Sequence, residues 1–445
     1  MLITHATLVT HAAGGIIADG ALFIEGGVIR DVGASDVLIG RYPGAEQIDA
    51  RGQWVMPGNV NAHTHFYGAY ARGMAIPGDP PEDFPAILRR LWWNLDKALD
   101  ADAVRLSAQV SLIDAIRSGT TALFDHHASP NAIEGSLDII AAEVRRAGVR
   151  AALCYEVTDR DGQEKAEAGI AENVRFMREH RGDSQVAALF GLHASLTLGD
   201  ATLRACAQAN AADAGFHIHV AEHEADEADS LARSGRRVVQ RLQDYGILGS
   251  RTITAHCVHV DAAETDLLQA AGGWITHQAR SNMNNAVGAM AFDAMSARGM
   301  NLCLGSDGFF GSVWEEWKAA YLLHKAAHRD PRKANGGAVA AAAQRSNGLA
   351  EQVFGGRFGI LEAGAHADII FVDYHPYTPV TMGNLPWHIL FGFDASMVTT
   401  TIAGGRILMR DRTLLTLDER AIAEAGRELA PAVWARYARI AEMTK

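Results

Sequence analysis

Between about residue 57 and residue 360, short apolar runs alternate with longer segments of helical periodicity. Helical segments such as DADAVRLSAQVSLIDAIRSG begin with acidic residues and end in glycine. Strand–helix units repeated in this way predict a closed parallel (β/α)8 barrel, a TIM barrel, rather than an open sheet. The eight candidate strands are VMPGNVNAH, TTALFDH, VRAALCYE, VAALFGLHA, GFHIHVA, RTITAH, WITHQA and MNLCLGS.

The two ends of the chain have a different pattern, in which apolar and polar residues alternate between turn glycines. This alternation is typical of strands and hairpins. Residues 1–56 and 361–415 could therefore pair into one small β-sandwich domain, with the barrel of residues 57–360 inserted in it. Residues 416–445 predict a C-terminal helix. The expected fold class is α/β, with a barrel and a β-sandwich built from both chain ends.

The charge and the cysteines narrow the possible partners and location. The net charge is −12, whereas nucleic acids and anionic membranes are bound by basic surfaces, so we expect neither as a partner. No apolar run reaches the roughly 18 residues that span a membrane. The N-terminus has no signal-peptide pattern. Four widely spaced cysteines predict reduced thiols, and together these features predict a cytoplasmic protein.

Residues with metal-binding side chains end several of the candidate strands. His63 and His65 end the first strand, and their spacing of two directs both imidazoles to one side. His219 ends the fifth strand, and Asp307 ends the eighth in LGSDG. Because barrel active sites form at the C-terminal ends of the strands, these side chains predict a metal site at the mouth.

Two further residues are candidates for proton transfer. Glu222, three residues after His219, could shuttle a proton, although a helix-capping carboxylate is the alternative. His256 ends the sixth strand and is either a further ligand or a neutral group that holds the attacking water, with His259 as its competitor. His217 shares a face with His219 but lies deeper in the strand, so we favour His219 as the ligand.

The fourth strand bears on the number of metal ions. Two-metal barrels often use a carboxylated lysine there, but this strand has His193 and no lysine. We therefore expect one divalent metal at the mouth. Such a cation lowers the pKa of its water from about 15.7 toward 7 and so supplies a nucleophile at neutral pH.

The series HTH, HVAE, HCVH and GSDG resembles the amidohydrolase superfamily, in its cytosine-deaminase-like and chlorohydrolase-like branch. The resemblance covers nearly the whole chain, including HADIIFVD after the barrel. HFYGAYARGM, LWWNLDKALD and RSNMNNAVG further resemble a group of aminohydrolases encoded near selenium-metabolism genes. Some members of that group have Asn at the position of Thr64, which need not bind metal. The branch implies Zn²⁺ or Fe²⁺ bound by His63, His65, His219 and Asp307.

The same resemblance implies roles for other positions. Glu222 would be the proton shuttle, His256 would stabilise the bound water, and Asp307 would take its proton. His193 would contact the substrate. Aromatic side chains could stack on a flat ring, and amide or imidazole groups could bind its edge. The candidate contacts are Tyr67, Trp92, His126 and Asn282, with Trp93 and His127 as neighbours whose orientation the sequence leaves open, and Arg72, Arg280 and Asn285 as further possibilities.

We therefore expect a hydrolase of carbon–nitrogen bonds other than peptide bonds. The leading hypothesis is deamination of a purine-, pterin- or pyrimidine-like heterocycle through attack by metal-bound hydroxide. Hydrolysis of a cyclic amide or a C–Cl bond by the same site is the second hypothesis, and a non-catalytic metal-binding barrel is the third. A small heterocyclic substrate and a homo-oligomer, dimeric or larger, complete the expected partners.

Overall fold

A computed structural model describes residues 1–210, 214–309 and 311–443 of the chain. The strands in chain order are β1 (Leu2–Val9), β2 (Ile16–Glu25), β3 (Val28–Ala34), β4 (Gln47–Asp49), β5 (Trp54–Pro57), β6 (Asn59–Thr64), β7 (Thr120–His127), β8 (Arg150–Tyr155), β9 (Val186–Ala188), β10 (Phe190–Ala194), β11 (Phe216–Val220), β12 (Ile253–His256), β13 (Trp274–His277), β14 (Asn301–Leu304), β15 (Ile369–Val372), β16 (Val398–Ala403), β17 (Arg406–Arg410) and β18 (Thr413–Leu414).

The α-helices are α1 (Ser35–Arg41), α2 (Phe84–Ile87), α3 (Trp93–Leu95), α4 (Ala101–Arg117), α5 (Ser136–Ala147), α6 (Gln163–Glu179), α7 (Asp200–Ala209), α8 (Glu224–Ser234), α9 (Val238–Asp244), α10 (Ala262–Ala271), α11 (Ala279–Asn284), α12 (Phe292–Ala297), α13 (Val313–His328), α14 (Gly336–Phe354), α15 (Leu385–Gly392) and α16 (Glu419–Met443). No helix in the described ranges is long and apolar enough to cross a membrane.

All eight candidate strands of the middle region form strands, and they close into a parallel ring. One sheet has the order β6-β7-β8-β9, and the other has the order β10-β11-β12-β13-β14. A bridge between Val157 and Leu192 joins the two sheets on one side, and a bridge between Thr64 and Asp307 joins them on the other. The fourth strand is interrupted at Leu189 and so contributes both β9 and β10. The C-terminal ends of the strands therefore surround one mouth.

Strands from both ends of the chain form a single nine-stranded sheet in the order β18-β17-β16-β15-β5-β1-β2-β3, with β4 beside β1. β5 lies where the two chain ends meet, because it pairs with β1 in parallel and with β15 in antiparallel orientation. β5 ends at Pro57 and β6 begins at Asn59. The sheet thus anchors the start of the barrel strand that ends in His63 and His65.

The C-terminal helix α16 holds the segment between β6 and α4 against the barrel. The Trp434 indole N–H donates to the carbonyl oxygen of Tyr70 at 3.0 Å, and the Tyr437 hydroxyl donates to that of Arg90 at 2.5 Å. This segment contains a 3-10 turn (Phe66–Ala71) and a π-helical turn (Leu88–Trp92). It covers the mouth, so α16 indirectly shapes the entrance to the site.

Candidate active site

Three histidines and one aspartate from the barrel mouth converge on a single point. His65 Nε2 lies 3.1 Å from Asp307 Oδ1 and 3.2 Å from His219 Nε2. His63 Nε2 lies 3.9 Å from the same Asp307 oxygen. Ligand atoms that each lie about 2 Å from one tetrahedral cation are separated by about 3.3 Å, so these spacings suit a metal site.

Each of these imidazoles is oriented by a second contact on its other nitrogen, as is usual for histidines that bind metal. His63 Nε2 is buried and has no hydrogen-bond partner within the described residues, which leaves a lone pair facing the point of convergence. Three nitrogens and one carboxylate oxygen could hold Zn²⁺ or Fe²⁺. The outer contacts are His63 Nδ1 to His217 Nε2 at 2.8 Å, His65 Nδ1 to the His126 carbonyl at 2.6 Å, and His219 Nδ1 to the His193 carbonyl at 2.9 Å.

Two groups suited to proton transfer lie beside these four candidate metal ligands, which we call the donor set. His256 Nε2 lies 3.5 Å from Glu222 Oε2 and 3.6 Å from Asp307 Oδ2. Burial, reinforced by the Asp307 charge, raises the pKa of Glu222 well above its usual range, so this carboxyl group can hold a proton at neutral pH. Burial lowers the pKa of His256 and so favours a neutral imidazole. The arrangement can donate a proton to a substrate and hold a water molecule.

The backbone at these strand ends adopts conformations that non-glycine residues rarely use. The φ angles are +45° at Ala221, +71° at His256 and +54° at Asp307. Strain of this kind is concentrated at functional sites. Gly305, two residues before Asp307, permits the close approach of β6, because a Cβ atom there would lie 2.8 Å from the backbone nitrogen of His63. The GSDG sequence therefore has a packing reason for its first glycine.

Helix α11, which follows the seventh barrel strand, and the residue just after it contact Glu222, His256 and Asp307. We did not infer this from the sequence, although the cluster of amide and hydroxyl residues in RSNMNN was a signal. Each of three polar residues in or just after the helix binds a different partner. Ser281 Oγ donates to Asp307 Oδ2 at 2.6 Å, Asn282 Oδ1 lies 2.9 Å from His256 Nδ1, and Asn285 Nδ2 donates to Glu222 Oε1 at 3.3 Å.

A cavity of about 700 Å3 opens onto the convergent residues. Tyr67 and His193, two of the predicted substrate contacts, line it. Trp92 and Trp93 both line it as well, although the sequence left the orientation of Trp93 open. Adjacent residues can both reach the cavity because the chain passes from a π-helical turn into α3 at this point. The lining therefore offers a flat substrate several aromatic rings.

The two remaining predicted contacts, His126 and Asn282, are fully buried and do not line the cavity. His126 Nε2 lies 3.0 Å from the Leu192 carbonyl oxygen, and Asn282 contacts His256 as described above. Both sit one layer behind the cavity wall. Their assignment as substrate contacts stays a prediction.

Other candidates from the sequence have structural partners. Arg280 lines the cavity but forms a salt bridge with Glu316. Arg72 also lines it and pairs with Asp114. His259, the competitor of His256, has its Nε2 2.9 Å from the Val287 carbonyl oxygen.

Glu156 is a cavity-lining residue that we did not single out from the sequence. It immediately follows β8, and its backbone N–H donates to the His127 carbonyl oxygen at 2.8 Å. Its carboxylate lies beside His193 and Arg160, which also line the cavity. The available signal was the position itself, because Glu156 is the last residue of the third candidate strand, VRAALCYE, and therefore belongs to the same mouth as His219.

Comparisons with known proteins show the family to which the chain belongs. Residues 54–408 match the amidohydrolase family. The chain is 32% identical over 429 residues to a 5'-deoxyadenosine deaminase of Methanosarcina mazei, covering 95% of each chain. It is 32% identical over 397 residues to a 5-methylthioadenosine/S-adenosylhomocysteine deaminase of Haloarcula marismortui, covering 87% of this chain and 89% of the relative.

Among solved structures, the fold is similar to that of an adenosine deaminase from Xanthomonas campestris with bound zinc, with a TM-score of 0.86, 24% identity and 98% coverage of both chains. It is also similar to an atrazine chlorohydrolase from Arthrobacter aurescens complexed with zinc, with a TM-score of 0.81, 19% identity and coverage of 97% and 100%. The family match covers well over half of the chain, the similar relatives extend over most of it, and the protein belongs to the amidohydrolase family.

Proposed function

We propose that this protein is a metal-dependent aminohydrolase that removes the amino group of a nitrogen heterocycle as ammonia. The observation that carries the proposal is the contact of Glu222 and His256 with a donor set of three histidines and one aspartate, at the inner end of an aromatic-lined cavity. Relatives about 30% identical over most of the chain are named deaminases of adenine nucleosides. This supports the bond between a ring carbon and its exocyclic amino group as the target.

The chain's own residues divide the reaction between them. His63, His65, His219 and Asp307 would hold one Zn²⁺ or Fe²⁺, and the bound cation supplies Lewis acidity that activates water. Glu222, whose burial favours the protonated form, donates its proton to the ring nitrogen, while Asp307 accepts a proton from the attacking water that His256 stabilises. Once the carbon–oxygen bond has formed, Glu222 takes the second proton of that water and donates it to the leaving amine as the carbon–nitrogen bond breaks. The proton held by Asp307 then returns to Glu222. Tyr67, Trp92 and Trp93 hold the ring and keep bulk water out.

Several finer features are part of the same proposal. Strand four carries His193 and no lysine, which supports a single metal. Residues 1–56 and 361–415 would form a β-sandwich domain with its own buried cluster, including Ile3, Val55 and Ile369. Exposed Phe391 and Leu322 offer apolar surface for a homo-oligomer. We place the protein in the cytoplasm because its four cysteines are free, buried thiols.

The test is the Glu222→Gln variant with zinc- or iron-loaded protein, assayed for ammonia release from a panel of amino-substituted heterocycles. Losing a general acid costs roughly 10²–10⁴-fold in rate, so we expect kcat to fall by at least 100-fold while the metal content is retained. Glu134→Gln, at an exposed carboxylate outside the cavity, is the matched control. Full turnover in Glu222→Gln would remove this residue from the mechanism. Release of chloride or a ring-opened acid instead of ammonia would favour the C–Cl or cyclic-amide hydrolase.

A further inference from the structure

We propose that Glu156 determines substrate specificity by accepting a hydrogen bond from an N–H donor on the substrate ring, on the edge turned away from Glu222. This inference rests on the proposed deaminase function and names the substrate class within it. The preferred substrates would be amino-substituted heterocycles that carry a second donor group, such as an amino-oxo or diamino ring.

The position of Glu156 is the first argument. One ligand atom from each of Glu156, His193 and His219 lies within 4.8 Å of the others, while Glu222 forms a similar group with His256 and Asp307. The two carboxylates therefore lie beside different metal-ligand candidates, Glu156 near His219 and Glu222 near Asp307, in a cavity that both glutamates line. A ring whose reacting carbon sits at the donor set would present one edge to each of them.

The second argument is that one oxygen of Glu156 lacks a donor. Arg160 Nη2 lies 3.6 Å from Oε1 and His193 Nε2 lies 3.8 Å from it, both beyond the usual range of about 2.7–3.2 Å. Oε2 is nearer to a partner, at 3.3 Å from His126 Nδ1. No hydrogen bond to Oε1 is found among the residues that the structure describes. Glu156 lines the cavity, so this oxygen can accept a hydrogen bond from a bound ligand.

The third argument concerns charge. Burial by itself would raise the pKa of Glu156, but His193, His126 and Arg160 outweigh it and hold the pKa well below its usual range. Glu156 is therefore an acceptor only.

Arg160 does not cancel this charge, because it is shared. Its guanidinium also pairs with Asp96, and its Nε lies 3.4 Å from Asp161 Oδ2. The other cation in this group, Lys97, binds Asp161 at 2.8 Å. Three carboxylates thus lie around two cations, and of these five groups Glu156 and Arg160 are the ones that line the described cavity. The excess of negative charge around Glu156 disfavours an anionic substituent beside it.

The closeness of Glu156 to His219 favours a donor on the ring itself. Hydroxyl groups of an attached sugar are the other source of the same chemistry. Besides its leaving amino group, an adenine ring offers only acceptor nitrogens, so an unmodified adenine nucleoside could satisfy Glu156 only through its sugar. The two sources predict different responses to matched pairs of ligands.

The experiment compares wild type, Glu156→Gln and the exposed control Glu134→Gln on two pairs of ligands. The first pair is 8-oxoadenosine, whose N7–H donor lies on the opposite side of C6 from N1, with adenosine, and the second pair is adenosine with 2',3'-dideoxyadenosine. The kcat/KM for ammonia release is measured with metal-loaded protein. Dissociation constants are measured by quenching of tryptophan fluorescence, which uses Trp93 beside Arg160 and does not require turnover. Metal content and melting temperature show whether each variant is folded.

For wild type, we expect at least a 10-fold preference for the donor-bearing purine, falling to about 2-fold or less in Glu156→Gln. A preference for adenosine over its dideoxy analogue that disappears in the variant would keep Glu156 as the acceptor and assign the donor to the sugar. Equal affinities within both pairs in wild type, or a preference that survives in Glu156→Gln, would overturn the inference. Neither result would affect the deaminase proposal, which fails only if ammonia is not released or if Glu222→Gln retains full activity.

Discussion

The two sides of the barrel mouth are built differently. On the side of β11 to β14, Glu222, His256 and Asp307 each have a fixed partner in or beside α11. On the side of β6 to β8, the cavity wall consists of aromatic rings and the incompletely paired Glu156. We call these the chemistry side and the substrate side. The contrast indicates that the reacting groups are preorganised, whereas the substrate side has contacts still to be completed by a ligand.

The supports of the two sides differ in the same way. The chemistry side is supported locally, because α11 begins two residues after β13 ends. The substrate side depends on a distant element, since α16 at the end of the chain holds the covering segment through Trp434 and Tyr437. Changes in the covering segment can therefore alter substrate choice while the backbone of the reacting groups stays in place.

Removing the metal should have the largest effect, because the residues that would hold the cation come from both sides of the mouth. With free cation at 100 to 1,000 times its dissociation constant, binding stabilises the fold by about 3–4 kcal/mol. Without it, the unpaired His63 Nε2 and the convergent imidazoles lose their partner. We expect a chelator to abolish activity and lower the melting temperature by several degrees, and added Zn²⁺ to restore both. An unchanged melting temperature after complete metal removal would mean that the donor set does not hold the cation.

The Asn282→Ala variant should damage the chemistry side alone. Asn282 is fully buried, and its Oδ1 fixes the outer nitrogen of His256. A buried polar group left without a partner costs about 1–3 kcal/mol, so kcat should fall by about 10- to 100-fold with little change in KM. Met283→Ala, on the exposed face of the same helix, is the control. A rise in KM with kcat unchanged would instead support Asn282 as a substrate contact, as the sequence suggested.

The sequence revealed the candidate metal ligands, which come from both sides of the mouth, better than the residues that surround them. His63, His65, His219 and Asp307 could be found because strand periodicity places each at the end of a strand, and parallel strand ends meet at one mouth. Glu156 obeys the same rule, but a glutamate followed by VTDRD also fits a solvated loop. The contact between Asn282 and His256 depends on how α11 crosses the neighbouring strand end. The sequence contains no local signal for that geometry.

Replacing Trp93 with Leu should have the smallest effect and should be confined to the substrate side. The Trp93 ring lies 5.4 Å from the Arg160 guanidinium carbon and 6.3 Å from the His193 ring, and it has no contact with Glu222 or Asp307 among the described interactions. Leucine keeps the wall apolar but removes a stacking surface worth about 1 kcal/mol, so KM should rise about 5-fold while kcat changes less than 2-fold. Trp387→Leu, at a half-exposed position on α15, controls for the loss of a tryptophan. If kcat fell sharply at constant KM, Trp93 would belong with the reacting groups, and the division of the mouth into two sides would be wrong.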